Sequence, residues 1–173
     1  MKTEHFVVTI KAEDRPGLLH LITGLLNRKL IPIKSLNAAP TDIHTIVLIT
    51  MEVEASEKAL TPLLAKIENI IEVFAVRAQA ADEAVCQCAA YFQMNKAVLT
   101  SPQIQYIRDA DMQIVRLTAE SVLLTKSGTA AMIRKLYNDL DGPHLAGFSQ
   151  TGLISDSELI GEDQSSVINR LAA

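Results

Sequence analysis

The residues best placed to do chemistry lie in the stretch KAEDRPGLLHLITGLLNRK, Lys11 to Lys29, where Asp14-Arg15-Pro16-Gly17 stands directly before a leucine-rich run. Pro16 fits the first turn of a helix, where its missing N–H is not needed and its φ is already helical. Gly17, just inside, leaves the backbone N–H groups uncovered. Those groups carry the positive end of the helix dipole, so the pair builds a place where a small anion can dock. A lone Pro-Gly is more often a plain strand-to-helix turn, and the surrounding elements must decide.

Other groupings offer less. His5, His20, His44 and His144 are scattered, with no ligand spacing among them. Cys86 and Cys88, two apart on an expected strand, point to one face and are poorly placed to bridge each other. With no second pair and no nearby His, they read as buried structural thiols of a reducing cytoplasm. TKSGTAAM, Thr125 to Met132, has one glycine and lacks the spacing of a phosphate loop, so it reads as a helix start. Asp139 and Asp141, before Gly142-Pro143, read as a turn, which is weak ground for acid–base work. Tyr91, Asp109 and Asp111 form no constellation either. The expectation is a chain with no catalytic residues, no metal ligands and no cofactor of its own.

The whole chain narrows this further. Its 173 residues suit one or two compact domains. A hydrophobic fraction of 49% with 21% charged residues is that of a soluble globular protein. Sixteen basic residues against twenty acidic ones, a net charge of −4 and 4% aromatics count against nucleic-acid binding. MKTEHFVVTI carries charge within its first five residues and no long apolar core, and the apolar runs are too short to span a bilayer. A cytoplasmic location without membrane contact is expected.

The elements that must position the Pro-Gly corner follow from periodicity. Phe6 to Ile10 alternates as a strand that is apolar on both sides. Leu18, Leu21, Ile22, Leu25 and Leu26 recur at helical spacing. LIPIKSLNA returns to strand, with Pro32 marking an edge or a beginning. Ala39 to Asp42 makes a turn, and HTIVLITMEV is the clearest strand. Ser56 is placed to cap a helix carrying Leu60, Leu63, Leu64 and Ile67, in which Pro62 marks a kink or a later start at Thr61. IIEVFAVRA closes the set as a strand. The order is the ferredoxin-like βαββαβ unit.

The order then repeats without visible similarity of sequence. AVCQCAAYF, MQIVRL, SVLLTK and LAGFSQTGLI read as strands, with one helix opened by Ser101-Pro102 and another running from near Gly128 to the stop at Gly142. The expected fold is α+β, two consecutive βαββαβ units. The expected divisions are a first domain over 1–78, a linker over 79–82, a second domain over 83–154 and a tail over 155–173.

In that setting Asp14-x-Pro16-Gly17, at the end of the first strand, resembles the ACT domain, a family that commonly binds amino acids. More narrowly, DRPGLLHLITGLLNRKLIPIKSLNAAPT resembles the start of the small regulatory subunits of acetohydroxyacid synthase, also called acetolactate synthase. Gly17, the helix through Asn27, Ile33-Lys34-Ser35-Leu36 and Ala39-Pro40-Thr41 carry the likeness, which is good over Phe6 to Ala78 and weak over Cys86 to Gly152. The resemblance implies a non-catalytic partner of a large subunit that holds thiamine diphosphate and Mg and condenses two 2-keto acids. It implies activation of that subunit, feedback inhibition by valine or another branched-chain amino acid, and a homodimer with the effector where two ACT domains meet. The implied effector residues are Asp14, Arg15, Gly17, Leu18, Pro32, Ile33 and Ala39. Gly17 and Leu18 N–H suit an effector carboxylate, Asp14 suits its ammonium, and Leu18, Ile33 or Leu36 suits an apolar side chain. The family's two asparagines are replaced here by Asp14 and Pro32. A free-standing amino-acid sensor is the other reading.

Pairing of copies has a physical side too. Ile46 and Leu48 lie opposite Val47 and Ile49 on one strand, so both sheet faces look apolar while helices cover one. A second copy is expected to cover the other face or an edge.

Overall fold

The structure is a computed structural model and describes residues 3–155. Its contacts divide the chain into two units, one running through Val85 and resuming at Gly152, the other spanning Cys86–Thr151. Each has the expected βαββαβ order.

The first unit comprises β1 (Glu4–Glu13), α1 (Leu18–Arg28), β2 (Ile33–Pro40), β3 (Ile46–Ala55), α2 (Glu57–Glu68) and β4 (Val73–Ala80). Its antiparallel sheet runs β2-β3-β1-β4, so the first helix and the first crossover lead to an edge strand. One face is packed by the helices: Leu18, Ile22 and Leu26 of α1 and Leu60, Leu63 and Ile67 of α2 meet Val8, Ile10, Ile49, Met51 and Val53. Leu21, placed by periodicity on the inner stripe, is 51% exposed. It lies one residue from Ile22, about 100° round the helix, and points past the sheet. Pro62 neither delays nor ends α2, which begins at Glu57. Only the bond that its missing N–H would have made to Lys58 is lost.

The other face of this sheet is also out of solvent. Val7, Thr9 and Lys11 of β1 and Ile46, Leu48 and Thr50 of β3 are all buried within the single chain. Of the two places expected for a second copy, an edge remains and this face is already out of solvent. Gly152 is one of the residues that approach it. A Cβ on Gly152 would stand 2.8 Å from Leu36 O and 3.0 Å from Asn37 Cβ. Asn37 pairs with Thr50, which places it on the helix-free side of β2.

β4 continues through Ala80, since Gln79 and Ala80 still pair with Val7 and Phe6. The segment expected as a linker, 79–82, thus begins inside a strand. The chain also re-enters the first unit at Gly152, ahead of the division expected at 154. The expected tail lies outside the described residues except for Ser155.

The second unit comprises β5 (Cys86–Asn95), a 3-10 turn (Lys96–Thr100), α3 (Gln103–Asp109), β6 (Gln113–Leu117), β7 (Ser121–Gly128), α4 (Ala130–Leu140) and β8 (Leu145–Gln150). These strands lie in the order β6-β7-β5-β8, matching the first unit position for position. Phe92, Met94, Leu124, Ile133 and Leu140 fill its core, and the rings of Phe92, Phe148 and Tyr137 stack in series with centroids 5.0 and 4.7 Å apart. Cys86 and Cys88 face this core as buried thiols without a disulfide.

Candidate functional site

The corner between β1 and α1 is built differently from its expected form. Arg15-Pro16-Gly17-Leu18 is a type II turn: Leu18 N–H donates to Arg15 O at 3.2 Å, and Gly17 has φ 91° and ψ −14°. Pro16 is therefore the second residue of a turn and not the first of the helix. Gly17 is needed because the third position of this turn is left-handed, where a side chain is strained. It also serves as the N-cap residue of α1, and no side chain caps the helix. α4 shows the ordinary arrangement, with Thr129 Oγ1 accepting from Met132 N–H at 3.2 Å.

The consequence is an open helix terminus. Leu18 N–H, expected to be available, is used inside the turn. Among the described residues the N–H groups of Gly17, Leu19 and His20 meet no acceptor. The Asp14 carboxylate does not cap the helix either. Asp14 is instead held by its backbone, whose N–H donates to Thr45 O at 2.8 Å.

These groups border a cleft of about 440 Å³ lined by Asp14, Arg15, Pro16, Gly17, Leu18, Leu19, Ala38, Val47 and Ile49. Arg15 reaches back to Glu13, with Nη2 at 2.9 Å from Oε1, and this bond and charge push the pKa of its guanidinium up. The cleft offers amide donors at a helix start, a carboxylate, a guanidinium and an apolar wall. No group of three or more His, Cys, Asp or Glu among the described residues could hold a metal ion.

Four of the seven expected residues, Asp14, Arg15, Gly17 and Leu18, come together here. Ala39 does not, because it pairs with Leu48 and faces the helix-free side, while its neighbour Ala38 pairs with Ile49 and faces the cleft. Pro32 and Ile33 stand at the far end of β2. Ile33 pairs with Val53, four residues beyond Ile49, a separation of roughly 13 Å along the strand. Val47 and Ile49 were missed, although their inward alternation in HTIVLITMEV could have marked them.

Residues 8–75 match the model of the AHAS small subunit-like ACT domain. The first unit is similar to that ACT domain over most of its length. Over the longer chain, 24% of residues are identical to the acetolactate synthase small subunit of Mycobacterium leprae, an alignment covering 86% of this chain and 88% of that one. The Haemophilus influenzae small subunit is 25% identical, with 87% and 94% covered. The crystal structure of the acetolactate synthase small subunit from Thermotoga maritima superposes with a TM-score of 0.78 at 15% identity, covering 88% of this chain and 96% of that one. The shared fold thus includes the second unit, where the sequence carries little likeness. No helix among the described residues is long and apolar enough to cross a membrane.

Proposed function

We propose that this chain is the non-catalytic regulatory subunit of an acetolactate synthase, and that its ACT-domain cleft takes a free amino acid. The observation that carries the ligand is the uncapped start of α1, opening onto a cleft with both a carboxylate and an apolar wall. Gly17, Leu19 and His20 N–H receive the carboxylate of the zwitterion. Asp14 receives its ammonium, and Ala38, Val47 and Ile49 hold an aliphatic side chain of valine size. The relatives named as acetolactate synthase small subunits support a large-subunit partner; the resemblance implies that this partner carries thiamine diphosphate and Mg.

A second copy completes the site. The cleft is bordered by the edge strand β2, and Leu19, 40% exposed, stands beside it. Antiparallel pairing of two β2 edges about a two-fold axis sets the start of one strand, with Pro32 and Ile33, beside the end of the other, where the cleft lies. On this reading Pro32 and Ile33 act across the dimer. Effector binding shifts the population of dimer arrangements, and the favoured one holds the large subunit less active.

Co-expression with a large subunit tests the proposal. The pair should co-purify, turn over 2-keto acids faster than the large subunit alone, and slow when valine or another branched-chain amino acid is added. Failure to co-purify or to change turnover would end the synthase reading. A thermal shift with an amino acid but no effect on any large subunit would favour a free-standing sensor.

A further inference from the structure

We propose that Glu13 sets the ligand class of the cleft: by engaging Arg15 it makes the site one for a zwitterion with an uncharged side chain, closed to the 2-keto acid of the same carbon skeleton. This rests on the reading that the cleft takes an amino acid. Among the lining residues Arg15 is the one cation and Asp14 the one anion. They are neighbours in sequence, so by themselves their charges would cancel. What would remain is the positive end of α1, a site for any small carboxylate. Glu13 changes that balance. Its Oε1 lies 2.9 Å from Arg15 Nη2, and it stands outside the lining of the cleft. Glu72 pulls on the same guanidinium more weakly, through charge alone.

The guanidinium is thus neutralised from outside the cleft, and among the described residues no cation bonds the Asp14 carboxylate. The ligand then meets two poles, the unbonded N–H groups at the start of α1 and the Asp14 carboxylate. An amino acid answers both, with its carboxylate and its ammonium. The 2-keto acid with valine's side chain brings the same carboxylate and the same methyl groups, but a carbonyl in place of the ammonium. It answers the first pole and sets an acceptor against Asp14. Aspartate and glutamate fail differently, because their second carboxylate adds negative charge beside Asp14 and Glu13. The wall of Ala38, Val47 and Ile49 reads shape, and shape does not separate valine from its 2-keto acid. Charge does. The proposed partner works on 2-keto acids, so a cleft that took them would respond to substrate and not to an amino acid.

Isothermal titration of the full chain at low salt tests this, with L-valine first and then the other nineteen amino acids singly. Whichever binds tightest is compared with its own 2-keto acid, which for valine is 3-methyl-2-oxobutanoate. In the wild type the amino acid binds tighter by about tenfold or more. Glu13→Gln keeps the size of the side chain and frees the guanidinium, and it narrows that ratio by about fivefold. Adding Arg15→Gln to Glu13→Gln removes the cation as well and returns the ratio to its wild-type value. Each ratio is taken within one protein, so a loss of folded fraction cancels. Raising salt from about 0.02 to 0.5 M shrinks the effect of Glu13→Gln, since it acts through charges that solvent reaches. The inference is overturned if Glu13→Gln leaves the ratio within about twofold of wild type, or if the double variant stays as narrowed as the single one. Absence of binding by every amino acid in the wild type is a different failure, because it overturns the ligand reading of the cleft and this inference with it.

Discussion

The two units share strand order, helix placement and connectivity, yet they treat the face without helices in opposite ways. In the first, Val7, Thr9, Ile46, Leu48 and Thr50 lie on that face and are buried. In the second, on β5, the strand equivalent to β1, Gln87, Tyr91, Gln93 and Asn95 of that face are exposed and Ala89 is half-buried. The difference is written in the central strands: β1 reads apolar on both sides, whereas β5 alternates Cys86, Cys88, Ala90, Phe92 and Met94 inward with polar residues outward. Topology fixes which face the helices take. The residues on the other face decide whether it is suited to burial or to solvent.

Substitutions on the helix-free faces of the two sheets should break or sharpen that contrast, and they carry its largest effect. Leu48→Ala removes a side chain that is 5% exposed and is expected to destabilise by about 2–5 kcal/mol, the range for buried leucines. Tyr91→Ala, at 48% exposure, should change stability by about 0.5 kcal/mol or less. Urea unfolding monitored separately for each unit reads both. Equal losses would mean that the helix-free face of the second unit is covered in solution, as it would be by a docked partner.

The helix starts supply the next contrast. Thr129→Ala deletes the side chain that accepts from Met132 N–H, and α4 should lose about 1 kcal/mol. Asp14→Ala, at the corresponding corner of the first unit, should change stability by about 0.5 kcal/mol or less, since the Asp14 carboxylate caps nothing in the chain. Its cost should appear in amino-acid binding, through the lost partner of the ligand ammonium. Calorimetric melts with and without ligand separate the two results. An Asp14→Ala that destabilises the free chain as much as Thr129→Ala would return Asp14 to an ordinary capping role.

Both contrasts also show where the sequence was legible. Periodicity gave eight strands and four helices in the right order, because apolar alternation and the 3.6-residue stripe follow directly from which faces are buried. The cleft was legible in part. Asp14-Arg15-Pro16-Gly17 marks a special corner, yet whether Pro-Gly opens a helix or makes a type II turn depends on ψ at Pro16, and both outcomes suit these residues. Two adjacent alanines carry no mark of facing, and a shift of one residue in a strand moves a side chain to the other side, so Ala38 lines the cleft and Ala39 does not. The approach of Gly152 to the first sheet was not legible, since the chain returns to that unit 67 residues after leaving it at Val85. Nothing near Gly152 in sequence announces that its backbone must pass within contact of Leu36.

The smallest expected effect concerns how the second unit ties its two helices together. Tyr106 of α3 donates its hydroxyl to Asp139 Oδ2 of α4 at 2.5 Å. α3 has seven residues against eleven in α1, so it has less surface to pack and gains more from a single bond. Ionising the phenol would set an anion against the carboxylate, and this bond, aided by desolvation and the carboxylate charge, pushes the Tyr106 pKa up to about 12. A folded-state pKa above the unfolded one means that the stabilisation is complete below about pH 10 and is lost as pH rises from about 10 to 12. The pair is solvent-exposed, so its contribution is discounted to about 1 kcal/mol or less. Tyr106→Phe should therefore unfold slightly more easily than the wild type at pH 8, and the two should converge as pH approaches 12. A difference that persists undiminished to pH 12 would show that Tyr106 acts through its ring and not its hydroxyl, and that the second unit joins its helices by apolar packing as the first does.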